Sequence, residues 1–195
     1  MASLLIVYGT NEGQTRKIAG RIAETARERG HAAEVVDSAC GPVLAPPHRY
    51  DAVVVAGSVH VGKHQRSLVR FVRASLAELT RLPTAFFSVS LSATGSDLPG
   101  ARRCADAFLR ETGWFPSMVR LTAGALMYSR YGPVKRWIMR RIARKAGGGT
   151  DTSRDYEYTD WAKLREEVEV FLARAVPAEA QREAGELSPR LCASA

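Results

Sequence analysis

Cysteine is scarce in this chain of 195 residues: Cys40, Cys104 and Cys192 are an odd number, far apart and without a C-x-x-C pair. That argues against a disulfide framework and a zinc site, and it suits a reducing compartment. Long apolar runs are missing as well, and none approaches the roughly 18 residues that would cross a bilayer. Met1 to Tyr8 has neither the positive start nor the small-residue cleavage site of a secretory leader, so its short apolar run reads as a buried strand. No G-x-G-x-x-G dinucleotide fingerprint and no Gly-Lys-Thr of a nucleoside triphosphatase loop follows that strand. Acidic residues are absent from Ala125 to Thr150, although the same stretch holds seven cations: Arg130, Lys135, Arg136, Arg140, Arg141, Arg144 and Lys145.

The formal charge of +8 is therefore local. Outside that stretch 21 cations face 20 acids, so nearly all the excess sits in one short segment, which points to a local anionic partner. No nucleic-acid reading motif accompanies it, and nucleic acid is not the expected partner. With 46% hydrophobic and 25% charged residues the rest has the balance of one globular domain.

Apolar periodicity predicts alternating strands and helices. Strands are expected at Ser3–Tyr8, Ala32–Asp37, Asp51–Gly57, Thr84–Ser90 and Ser117–Ala123. Helices are expected at about Gln14–Arg29, Gln65–Leu79, Pro99–Thr112 and Asp160–Ala175. The third strand is almost uniformly apolar, as parallel strands covered on both faces are. The expected fold class is α/β, a doubly wound five-stranded parallel sheet, with a disordered tail over 176–195. In such sheets ligands lie beyond the carboxyl ends of the strands, so the loops after strands one, three and four are the candidate site.

The first of these, Thr10, Asn11, Glu12, Gly13, Gln14 and Thr15, is an anion cradle. Gly13 lets backbone come close to a phosphate, the polar side chains offer donors, and the helix start aims free N–H groups at the charge. The second runs through Ser58, Val59, His60, Val61 and Gly62 to His64. Its two histidines lack a third ligand, so no metal is expected, while His60 has the chemistry of a proton donor and acceptor. The third begins Ser88, Val89, Ser90 and Leu91. Neither loop carries a Trp or Tyr.

Thr10-x-x-Gly13-x-Thr15 after the first strand resembles the phosphate loop of flavodoxins. Glu12 stands where flavodoxins commonly carry a hydroxyl, and a carboxylate would repel a phosphate dianion, so Glu12 is expected to face outward and give only its N–H. The basic segment narrows the resemblance. Pro133 suits a helix start and Gly147–Gly149 its end. On the wheel Tyr131, Val134, Ile138 and Ile142 gather opposite Arg136, Arg140 and Arg144, with Lys135, Arg141 and Lys145 left to snorkel. Entered by Gly124-Ala125-Leu126-x-Tyr128-x-Arg130-Tyr131 and left by Gly-Gly-x-Thr-Asp-Thr, this stretch is similar to the bacterial menaquinone-dependent protoporphyrinogen oxidase family, flavodoxin-like proteins with a long basic helical insertion in strand five.

That resemblance covers about Leu4 to Ala173. It implies FMN held by Thr10–Thr15, Ser58–Gly62, Ser88–Leu91, and Thr150 and Asp151 where the insertion (about 125–155) returns to a sheet edge at Tyr156–Tyr158. It also implies oxidation of protoporphyrinogen IX to protoporphyrin IX with a membrane quinone as acceptor, at the cytoplasmic face of the cell membrane. The helix around 131–146 would lie on an anionic membrane surface, with Arg130, Arg136 and Arg140 pairing propionates or lipid phosphates. No catalytic side chain is assigned, because the flavin carries the redox chemistry. The competing readings are a soluble flavodoxin-type carrier or quinone reductase, and a binding module that has lost its flavin.

Overall fold

The computed structural model describes residues 1–40, 46–95, 97–145 and 149–175; the expected tail over 176–195 lies outside them, as do the side chains of Lys135, Ile138, Met139, Ile142 and Lys145. Five parallel strands, β1 (Ser3–Gly9), β2 (Ala32–Asp37), β3 (Ala52–Ser58), β4 (Thr84–Ser90) and β5 (Met118–Ala123), form one sheet in the order β2-β1-β3-β4-β5. The period of two in β1 explains why both faces are covered. Leu4, Ile6 and Tyr8 point to one side, where α1 (Gln14–Glu28) and α6 (Trp161–Ala175) bring Ile18, Ile22, Leu164 and Phe171. Leu5 and Val7 point to the other, against Leu68, Val72, Leu79 and Phe108 of α2 (Arg66–Ala74), α3 (Leu76–Leu79) and α4 (Leu98–Thr112). On that second face Phe86 stacks on Phe108 at 4.7 Å between centroids and meets the fully buried Trp114 edge-on.

The expected single helix from Gln65 to Leu79 is two. Ser75 leaves the helical region at φ −105°, donates its N–H to Phe71 and accepts from both Glu78 and Leu79, so it ends α2 and starts α3. Serine suits such a junction because its side chain competes with helical backbone bonds. Helix α4 starts with a carboxylate cap, Asp97 Oδ1 accepting from Gly100 N at 2.8 Å. Asp97→Ala should cost about 1 kcal/mol in urea denaturation at neutral pH.

Beyond β5 the chain departs from the sequence reading. Tyr156–Tyr158 does not resume the edge of the large sheet. Instead β6 (Ala125–Leu126) and β7 (Tyr156–Glu157) pair antiparallel as a separate ribbon. The cause is the end of β4: pairing of β4 with β5 stops at Ser90–Ala123, so residues past Gly124 have no neighbour there and must find another partner. Between β6 and β7 runs α5 (Pro133–Lys145), and beneath it Leu126, Tyr128, Tyr131 and Ala143 form a third apolar cluster that Leu91, Tyr156 and Tyr158 extend.

Candidate functional site

Strand β1 lies between β2 and β3, where successive connections leave in opposite directions and open a crevice at the carboxyl end of the sheet. The chain enters it at Gly9. Thr10 Oγ1 accepts the Gly13 amide at 2.9 Å, which curls the loop. Gly13 itself sits at φ +95°, a conformation that a side chain would strain. Helix α1 then begins without a side-chain cap and without an acidic residue in its first turn. Its uncapped amides and dipole favour an anion. Thr15 is fully buried, and its hydroxyl has no hydrogen-bond partner among the described residues. An unsatisfied buried hydroxyl costs about 1–3 kcal/mol, so the donor set is that of an anion site.

Loops two and three close the other side of the crevice. Val59 N donates to Val89 O at 2.7 Å and joins them. His60 and Lys63 exchange backbone hydrogen bonds around a tight turn whose central residues, Val61 and Gly62, both have positive φ. A β-branched residue at φ +49° is strained, yet Val61 holds its side chain 88% exposed. Ser90 is buried with an unpartnered hydroxyl. Leu91 turns toward the tyrosine cluster under α5. Asp151 folds back on itself, accepting from Ser153 N and Oγ, bonds that hold its carboxyl below the usual range, while Thr150 beside it is half-buried.

His64 and Ser88 lie behind the crevice rather than in it. His64 is buried against Phe86 and Phe108, its Nε2 3.1 Å from the buried Ser88 hydroxyl, and it fills the space that a Cβ on Gly57 would need. Among the described residues no three His, Cys, Asp or Glu approach closely enough to hold a metal ion. Burial lowers the His64 pKa to about 4. The unfolded chain, near 6.5, therefore binds the proton first, and stability present above that value is lost as pH falls toward 4. Urea denaturation at pH 4.5 should show a loss of about 2–3 kcal/mol relative to pH 7, much reduced in His64→Gln.

The side chains of the first loop reach contacts that no local pattern announces. Glu12 turns not to solvent but to the basic segment: the Tyr131 hydroxyl donates to its Oε2 at 2.5 Å. Burial first, then that carboxylate, raises the Tyr131 pKa. Arg130 Nη1 donates to the Glu12 carbonyl at 2.6 Å. Gln14 is equally engaged, its Nε2 donating to Glu157 Oε1 at 2.7 Å and Thr159 Oγ1 at 2.8 Å. Both ends of the basic segment are thus fastened to the anion cradle. A third link, Gln65, donates to Asn11 Oδ1 and Ser58 Oγ and ties loop one to loop two. Gln65, Arg130, Tyr131, Glu157 and Thr159 all escaped the sequence reading as parts of this cradle; only the position of Gln65, directly before a helix that follows a site loop, hinted at a role.

A Flavodoxin domain profile matches residues 5–153. Protoporphyrinogen IX dehydrogenase (quinone) of Escherichia coli strain K12 is 34% identical over 163 residues, 82% of this chain and 89% of that one. The protein of the same name from Leishmania major is 34% identical over 174 residues, covering 87% of this chain and 74% of its own. The chain belongs to the flavodoxin-domain family and to the protoporphyrinogen IX dehydrogenase (quinone) family within it. Among solved structures, oxidised Flavodoxin 1 from Bacillus cereus superposes with a TM-score of 0.55 at 17% identity, over 88% of this chain and 97% of that one. The flavodoxin of Streptococcus pneumoniae TIGR4 gives 0.54 at 16% identity, over 89% and 99%. At such identities the likeness speaks for the fold alone, and it agrees with the strand order. Set against that fold, the ribbon of β6 and β7 with α5 is the part that meets the cradle from outside the sheet.

Proposed function

We infer that the chain is an FMN-dependent dehydrogenase that oxidises protoporphyrinogen IX to protoporphyrin IX and passes the electrons to a membrane quinone. The observation that carries this reading is the 34% identity to quinone-linked protoporphyrinogen IX dehydrogenases, over matches too long to avoid the basic segment. The site's chemistry supports it. Thr10, Gly13, Thr15 and the amides at the start of α1 would hold the FMN phosphate, for which the buried Thr15 hydroxyl is otherwise without a partner. Asn11, Glu12 and Gln14 would contribute their amides, since their side chains are engaged with Gln65, Tyr131, Glu157 and Thr159. Ser58–Gly62 and Val89–Leu91 would flank the ring, with Ser88 set behind them against His64. Exposed Val61 there offers an apolar surface to cover, the buried Ser90 hydroxyl is without a partner among the described residues, and Thr150 and Asp151 would stand where the segment returns.

When bound, FMN supplies a two-electron acceptor and donor; the protein positions it and admits its partners. The basic segment, read as a helical insertion, would face the lipid. On α5, Val134 is 72% and Trp137 60% exposed, while Ala143 is buried and Arg136 half-buried with Nη2 on the Tyr131 carbonyl. Positions 134, 137, 141 and 144 share a face, and Arg141 lies 5.2 Å from the Trp137 ring centroid. Exposed Trp and Val among arginines suit an anionic bilayer surface. Among the described residues no helix is long and apolar enough to cross one.

The test is turnover. Under anaerobic conditions FMN-loaded protein should generate fluorescent protoporphyrin from protoporphyrinogen only when a menaquinone analogue is supplied. FMN-loaded protein that leaves protoporphyrinogen unoxidised with quinone present would overturn the reading. Trp137→Ala should weaken sedimentation with anionic vesicles at least about fivefold without changing FMN affinity, because an indole buried at the interface contributes on the order of 1 kcal/mol or more.

A further inference from the structure

The loop from Gly9 to Thr15 holds no basic side chain of its own. The structure nonetheless sets a guanidinium against it. Arg130, at the end of the short 3-10 turn Tyr128–Arg130 that opens the basic segment, places Nη1 on the Glu12 carbonyl and 2.8 Å from where a Cβ of Gly13 would stand. Any side chain at position 13 would meet it. Among the described residues that carbonyl is the single hydrogen-bond partner of the guanidinium, which has five N–H donors. The Asp155 carboxylate is near enough to feel its charge, but it is bonded to Ser129 N and Oγ. The Glu12 carboxylate is engaged by the Tyr131 hydroxyl.

Alone, this arrangement is electrostatically unfavourable. A cation at the positive end of a helix dipole is repelled, and α1 presents that end with no cap and no acid in its first turn. The fully buried, unpartnered hydroxyl of Thr15 lies in the same turn. Guanidinium, amides and hydroxyl become mutually consistent once a phosphate monoester lies among them, because Arg binds such oxygens through paired, charge-assisted hydrogen bonds. We propose that Arg130 is the cation of the phosphate subsite, delivered to the cradle by the basic segment. The Tyr131–Glu12 bond then turns a carboxylate away from the anion while fixing the neighbouring Arg130 in place.

This rests on the FMN reading, and it adds that the cofactor's phosphate joins the cradle to the basic segment. The test compares FMN with riboflavin, which lacks the phosphate, by quenching of flavin fluorescence on titration with apoprotein. Arg130→Gln should weaken FMN binding at least tenfold and change riboflavin binding less than twofold, and Arg130→Lys should recover part of the FMN affinity. Equal losses for both flavins, no loss for FMN, a Lys variant as weak as Gln, or a raised KM for protoporphyrinogen with FMN affinity intact would each overturn the assignment. Wild-type protein that binds neither flavin would overturn the cofactor reading itself, and this inference with it.

Discussion

Gly13→Val should lower FMN affinity by more than about a hundredfold, the largest effect expected of any single substitution in the site. Two independent penalties meet at this position. The backbone at φ +95° is open to glycine and closed to a β-branched residue, and forcing it costs of order 1–3 kcal/mol. The new Cβ would also stand 2.8 Å from Arg130 Nη1, so the guanidinium must shift from its place on the Glu12 carbonyl. Either response, a flipped loop or a displaced arginine, removes donors from the cradle. The core below is untouched, because Gly13 is part of a half-buried loop, so thermal unfolding of the apoprotein should shift little. FMN titration by fluorescence quenching, with the melting curve as control, separates a lost cofactor from a lost fold.

The second large effect concerns the outer face of α5. Replacing Arg140, Arg141 and Arg144, all exposed, by glutamate should reduce binding to anionic vesicles by more than about a hundredfold. Each cation near such a surface contributes about 1 kcal/mol, and reversal adds repulsion to the loss. Raising the salt should weaken the wild-type protein in the same direction, since the attraction is screened over about a Debye length. FMN affinity should survive in the triple variant, because the contacts to the cradle come from Arg130, Tyr131 and Glu157 at the two ends of the segment and not from this face. Co-sedimentation with vesicles of defined anionic content measures the first effect, and flavin titration the second.

Much of this was legible in the chain. All five sheet strands and the helix at Gln14 follow from apolar period and from Gly and Pro punctuation, which are local quantities. The crevice followed in turn, since an alternating pattern of strands and helices fixes which loops share one edge of the sheet. What local patterns do not encode is which side chains meet across more than a hundred residues. Glu12 and Tyr131 are 119 positions apart, and Gln14 and Thr159 are 145 apart. The carboxylate that looked out of place beside a phosphate is explained only by a phenol contributed from the segment beyond β5. The wheel of α5 shows a similar limit. It groups Val134 with Tyr131, yet the first is exposed and the second buried, because Tyr131 has extended backbone before the helix starts at Pro133 and so is not on the wheel at all. His64 read as a loop histidine and is instead a neutral core residue, a role set by Phe86 and Phe108, which are distant in sequence.

All of this depends on the first loop gripping a flavin through its phosphate. A crystal structure of the protein grown with FMN tests that most directly. The account predicts phosphate oxygens within hydrogen-bonding distance of Thr15 Oγ1, the amides that open α1 and the Arg130 guanidinium, with Glu12 still bonded to Tyr131. Density for the phosphate elsewhere on the molecule, or a Glu12 carboxylate swung into the mouth of the loop with no flavin bound, would contradict it.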